Sequence, residues 1–295
     1  MLKYDSVSEL VAEAEKRGVR ISDIVLEEQA EAAECPKEEL YKRMSKSLRI
    51  MLTSIDDGMT ENTRSVSGLT GGSAIKMKRR VEEGKNICGH LFGNALAMAL
   101  AVSETNACMG KIVAAPTAGS CGIIPAVLGS VMEDKEIPMD DVVMGLFTAS
   151  GIGLVVANKA SIAGAEGGCQ AECGTASAMA AAALTEICGG TPQMCSDACA
   201  IAFKNILGLV CDPVAGLVEI PCIKRNAMGT ANAFTAAELA LAGITSAIPA
   251  DEVIWAMKRI GDGMHTSLKE TGEGGLAATP TGKALKEKVF GKEKA

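Results

Sequence analysis

The sequence predicts an all-α fold, a Gly- and Ala-rich helical main domain with a small charged helical lobe at its N-terminus, and three observations predict it. Apolar residues recur at helical spacing, as in Leu40, Met44, Leu48, Met51 and Ile55. Alternation at period two is nearly absent, and runs of β-branched residues are short. Aromatic residues make up only 3% of the chain while glycine numbers 32, so the helices must pack through small side chains. A length of 295 residues suits one large domain or a domain with a small lobe.

The lobe is expected over residues 1–62. Ser6 and Glu9 have capping-box spacing, Leu10, Val11 and Ala14 share a face, and Gly18 stops the first helix. A second helix starts at Pro36, where a missing N–H costs nothing, and ends at Asp56, Asp57 and Gly58. Charges then thin out. The main domain, 63–282, is expected to hold helices over 73–83, 88–104, 123–132, 141–158, 171–188, 195–208, 231–247 and 250–260. The last segment, 283–295, KALKEKVFGKEKA, reads as a charged tail that frays.

Composition narrows the function. A net charge of −7 leaves no basic stripe for nucleic acid and gives no sign of an anionic membrane partner. The uncharged stretches 87–102, 112–132 and 142–158 read as buried core rather than spans, because the first two carry His90, Asn94, Pro116 and Pro125 and the third is short. Eleven cysteines follow an opening, MLKYDSVSELVAEAEKRG, that has acids and no apolar leader. That combination predicts a reducing cytoplasm, with thiols free or on metal.

Two Gly-rich turns precede predicted helices. SGLTGGSAIKMKRR places Thr70, Gly71, Gly72 and Ser73 at one helix start, and PTAGSCGIIPAVLG places Thr117, Gly119 and Ser120 at another. Free N–H groups at a helix start suit a carboxylate or phosphate, although ordinary capped turns look the same. Neither turn matches GxxxxGK[ST] or GxGxxG, so nucleotide binding has little support.

The cysteines sort by surroundings. Cys35, Cys88, Cys108 and Cys121 read as incidental or as small hydrophobes. Cys169 with Cys173, and Cys195 with Cys199, are spaced to share helical faces, but no dense CxxC pairs follow. Cys169 in EGGCQAE, Cys211 in LVCDPV and Cys222 in IPCIKRN all stand at non-helical punctuation, which would fix a sulfur toward a metal. On spacing alone, buried thiols remain the alternative.

LVCDPVAGLVEIPCIKRNAMGTANA and EGGCQAECGTASAMAAA, with SVSGLTGGSA, ETNACMGKIVAAPTAGSCGIIPAV and ETGEGGLA, resemble the iron–sulfur-dependent L-serine dehydratases. The likeness is to the α chain of the two-chain form and covers nearly the whole chain. It implies an all-α catalytic domain in which Cys169, Cys211 and Cys222 hold a 4Fe–4S cluster with one iron left open. That iron would act as a Lewis acid on the hydroxyl of L-serine, which would leave as pyruvate and ammonia form. The substrate carboxylate would dock on the 67–73 and 116–122 turns.

The resemblance also implies a separate β chain whose Ser/His-rich segment completes the site. The base is then either on that chain or at His265, which lies in a polar loop; His90, the second of two histidines, reads as a packing residue in an apolar helix. Asn226 is a candidate for bonding substrate or sulfide, Asp212 for supporting the ligands, and Lys224 and Arg225 for surface charge or a substrate anchor. Three other readings stay open: a related L-cysteine desulfidase with hydrosulfide as leaving group, a pyridoxal phosphate lyase built on Lys76, and a non-catalytic iron–sulfur subunit.

Overall fold

Residues 4–291 are described by a computed structural model. The chain runs through α1 (Val7–Arg17), α2 (Ile21–Ala32), α3 (Lys37–Gly58), α4 (Ser73–Glu82), α5 (His90–Ala107), α6 (Ile123–Asp134) and α7 (Met139–Lys159). It continues through α8 (Gly164–Gly167), α9 (Thr175–Ile187), α10 (Pro192–Lys204), α11 (Cys222–Leu241), α12 (Ala250–Gly263) and α13 (Pro280–Phe290). Among the described residues the only β pairing is an isolated parallel bridge between Cys211 and Lys269. The fold is all-α.

The centre is α9, TASAMAAAALTEI, buried from Thr175 through Glu186. Its alanines hold neighbouring backbones close, and α6, α7, α10 and α11 all pack on it. Around this axis Phe147 and Phe203 supply the largest fully buried side chains, worth roughly 2–3 kcal/mol each. At Gly58 an added Cβ would collide with the backbone of Ala101, so glycine is what lets α3 lie against α5.

Residues of the N-terminal segment are stitched into the same core. Val7, Leu10, Ile21 and Ile24 belong to one apolar cluster with Val143, Phe147 and Ile152. The Val7 N–H donates to Asp251 at 2.8 Å, and the Ser22 N–H donates to Glu186 at 3.2 Å. Ser6 caps α1 through the Glu9 N–H at 3.1 Å, while the Glu9 carboxylate reaches back one residue further than the box pattern, to the Asp5 N–H.

Four expectations need correction. Helix α2 was not anticipated; its entry is fixed by the Asp23 carboxylate accepting from the Arg20 N–H at 3.1 Å, and arginine is not a residue read as a cap. Helix α7 extends to 21 residues, long and apolar enough to span a membrane, but 67% of its most apolar stretch is buried inside the molecule. The C-terminal segment forms α13, opened by Thr279 accepting from the Gly282 N–H and by Pro280, up to Phe290; residues 292–295 of the predicted tail lie outside the described residues. His90 is no packing residue: it heads α5 with its side chain exposed, 3.7 Å from Asp134.

Candidate functional site

Three predicted segments meet at one place. Cys169 follows Gly168, a glycine with φ of 77°, a conformation L side chains rarely adopt, and stands at the mouth of a π-helical turn, Gln170–Gly174, that leads into α9. Cys211 lies in the bridge, its N–H donating to Leu268 O at 2.8 Å and its carbonyl accepting from the Glu270 N–H at 2.7 Å. Cys222 is the first residue of α11, after Pro221. The expectation of punctuation holds for Cys211, whereas Cys169 is helical and heads the π turn. Cys222 is helical too: its helix starts nine residues before the predicted 231, because Pro221 offers no side-chain cap to mark the start.

All three thiols are buried; Cys211 feels Cys169 and Cys222, and Cys222 feels Cys169. Burial pushes the Cys222 thiol up to about 12, with the charges of Cys169 and Glu172 adding to it. Burial likewise pushes Cys211 up, reinforced by Cys169 and Glu270. Cys169 moves the other way. Its sulfur is hydrogen-bonded to that of Cys173 at 3.4 Å, and this bond, helped by the Arg225 charge, holds it below the ordinary thiol range. The same bond, then burial, drives Cys173 up.

Glu172 and Cys173 are the residues that sequence reasoning underused. One donor atom from each of Cys169, Glu172 and Cys173 falls within 4.8 Å of the others. Their i, i+3 and i+4 spacing puts them on one face of the turn, as the spacing of Cys169 and Cys173 led one to expect, and Glu172 joins them there. Burial raises the Glu172 carboxyl above the usual range, opposed by the hydrogen bond it receives from the Thr117 hydroxyl.

The Gly-rich turns arrive at the same rim. Gly119 faces the Glu172 carboxylate so closely that an added Cβ would lie 2.5 Å from it. Ser120 is buried, its hydroxyl 3.1 Å from that of Thr117. From the other turn, the Thr70 hydroxyl donates to Glu219 at 2.6 Å, which ties SGLTGGS to the loop between Cys211 and Cys222.

Two predicted roles change on inspection. The N–H groups of Ser73 and Ala74 already donate to the buried Glu104 carboxylate at 2.7 and 3.3 Å, so the start of α4 beside Gly72 carries its own anion. Asn226 has no donor to spare: its amide nitrogen serves Gly119 O at 2.7 Å and Cys222 O at 2.9 Å, and its oxygen accepts from the Gly122 N–H at 2.9 Å. It fastens α11 to the 116–122 turn rather than reaching outward.

The remaining candidates stand as follows. His265 is exposed, and its Nδ1 accepts from the Ser267 N–H at 3.2 Å, which puts the proton of the neutral ring on Nε2. The half-buried Arg225 donates to Val210 O and to Asp212, whereas Lys224 is exposed. Lys76 is exposed on α4, without the burial that activates a Schiff-base lysine. Cys195 and Cys199 are buried inside α10, and burial pushes both thiols up.

An all-α shell gathers buried thiols from separate segments beside a guanidinium and a carboxylate, and within it Cys169, Glu172 and Cys173 stand close enough together to hold a metal ion. The chain belongs to the serine dehydratase alpha chain family, whose description matches residues 16–277. It is 51% identical over 288 residues to the "Probable L-serine dehydratase, alpha chain" of Bacillus subtilis (strain 168), covering 98% of this chain and 96% of that one. It is 45% identical over 282 residues to the "L-serine dehydratase, alpha chain" of Peptoniphilus asaccharolyticus, covering 96% and 97%. Against the "L-serine dehydratase" of Streptomyces coelicolor (strain ATCC BAA-471 / A3(2) / M145) the identity is 40% over 289 residues, covering 94% of this chain and 62% of that longer protein.

Proposed function

We propose that this chain is the α subunit of an iron–sulfur-dependent L-serine dehydratase, a carbon–oxygen lyase that converts L-serine to pyruvate and ammonia in the cytoplasm together with a separate β chain. The observation that carries the reading is the convergence of the buried Cys169, Cys211 and Cys222 at the rim where the 116–122 turn arrives: Gln170 bonds Leu209, Arg225 of α11 bonds Val210, and Asn226 bonds Gly119. Three thiolates are a donor set that suits an iron–sulfur cluster, and these three would hold a 4Fe–4S group. When bound, such a group supplies a Lewis-acidic iron for the departing hydroxyl.

The chain's own residues do the rest. Thr117, Gly119 and Ser120 form the wall on which the substrate carboxylate docks, with Thr70, Gly71 and Gly72 approaching from the opposite turn. Glu172 orients Thr117 by accepting its hydroxyl proton in a hydrogen bond, and burial raises its carboxyl above the usual range. Ser73 helps only through the turn it belongs to, since its N–H is engaged by Glu104. A base for the Cα proton is assigned to the β chain, because Nδ1 of His265 is engaged and His90 stands exposed at the head of α5. The names of the similar proteins, each an alpha chain, support a partner of this kind.

The test is anaerobic reconstitution of the chain with iron and sulfide, followed by spectroscopy with and without L-serine and by pyruvate assay with the β chain added. A cluster whose spectrum shifts on adding L-serine, with turnover restored by the β chain, is the expected result. A cluster indifferent to L-serine, or faster turnover of L-cysteine than of L-serine, overturns it.

A further inference from the structure

Arg225 reaches the surroundings of all three thiols at once. It lies three residues after Cys222 on the first turn of α11, so the two share a face. Its Nη1 donates to Val210 O at 2.8 Å and its Nη2 to Asp212 Oδ1 at 2.9 Å, which braces the chain on both sides of Cys211. Cys169 comes to the same place, since the N–H of its neighbour Gln170 donates to Leu209 O at 2.9 Å, one residue before Val210.

The brace is itself anchored. Asp212 is buried, with 5% of its side chain exposed against 15% for Arg225, and its second oxygen accepts from the Leu276 N–H at 2.7 Å. Gly275 leaves no room for a Cβ against that carboxylate, so the ETGEGGLA loop closes over the pair. A buried ion pair with both partners also hydrogen-bonded to main chain is expensive to dislodge. It therefore fixes position as well as charge.

The balance of charge gives the pair a second role. Glu172 shares the rim with Cys169 and Cys173, and three thiolates bring more negative charge to it. A fixed positive charge there offsets the mutual repulsion of these anions.

We propose that Arg225 is a positioning residue for the metal centre: it holds the sulfurs of Cys211 and Cys222 in register before loading, and afterwards supplies the positive charge that offsets the thiolates. This rests on the iron–sulfur reading above. A positive charge nearby stabilises the more negative, reduced state of a cluster, so Arg225 raises its reduction potential and Asp212 lowers it.

Opposite charge changes therefore have opposite effects. The full chain and its Arg225→Gln, Arg225→Lys and Asp212→Asn variants are reconstituted anaerobically with iron and sulfide, and folding is checked by circular dichroism. Reduction potential and the rate of iron loss to a ferrous chelator are then read. Arg225→Gln is expected to shift the potential negative and to weaken cluster retention by roughly ten- to a hundredfold. Arg225→Lys keeps the charge but not the two-point brace, so its potential stays near that of the parent while retention falls. Asp212→Asn shifts the potential positive, which keeps the test open if Arg225→Gln does not fold. Equal potentials in the parent and the folded variants, or shifts of the same sign in Arg225→Gln and Asp212→Asn, overturn the proposal. If the parent chain itself takes up no cluster, the functional reading fails first and this one falls with it.

Discussion

Asn226 Nδ2 donates to the carbonyl of Gly119 at 2.7 Å, joining α11 to the 116–122 turn across 107 residues of sequence. With its other two bonds the same side chain fixes the carbonyl of Cys222 and the N–H of Gly122. The 116–122 turn and the helix that carries Cys222 are thus one rigid piece.

Replacing that fastener should be costly. Asn226→Ala leaves buried backbone groups without partners and is expected to lower stability by about 2–4 kcal/mol. Asn226→Asp should do at least as badly, because it sets a carboxylate oxygen against two carbonyls. Urea unfolding followed by circular dichroism measures both, and a loss under about 0.5 kcal/mol would contradict the role.

The thiols should separate into two groups. Cys211→Ser and Cys222→Ser are expected to abolish iron binding in reconstituted protein while helicity is kept. Cys195→Ala and Cys199→Ala, which change only the apolar core of α10, should keep full iron and lose about 1–2 kcal/mol of stability. Iron analysis alongside thermal melts tells the groups apart.

Glu104 is expected to act as a built-in anion for α4. Its removal in Glu104→Ala frees the N–H groups of Ser73 and Ala74 and should cost about 2 kcal/mol. The vacated helix start then becomes a place for an external anion, so added sulfate should raise the melting temperature of the variant more than that of the parent. Equal responses to sulfate would show that the N–H groups stay closed.

Glu186 gives a pH effect remote from the thiols. Burial raises its carboxyl above the usual range, opposed by hydrogen bonds from Ser22 and Thr148. The folded chain therefore keeps this proton to higher pH than the unfolded chain. The stability it confers is complete below the unfolded pKa and is lost as pH rises through the folded one. Glu186→Gln should flatten that part of the profile, so melting temperatures at about pH 5 and about pH 8 should differ less in the variant.

Much of the fold was legible because helical periodicity is a local signal. Leu40 through Ile55 on α3 and the alanines of α9 declared themselves at the expected spacing. The helix starts at Ile21 and Cys222 stayed hidden, since Arg20 and Pro221 do not cap through a side chain in the usual way. At the site, the cysteine segments were readable from their resemblance to a family. The carboxylates were not: Glu104, Glu172 and Glu219 meet their partners across 31, 55 and 149 residues, and nothing local in the sequence distinguishes them from the acids on exposed helix faces.

The wide turn at Gln170–Gly174 makes the site's geometry separable from the helix that supports it. A π turn holds one residue more than the α-helix needs, and each residue swings the chain by about 100°. Excising a single residue there would let the backbone relax into unbroken α-helix. It would also swing Cys169 away from Cys211 and Cys222. Such a protein would keep α9 but hold its thiols out of register.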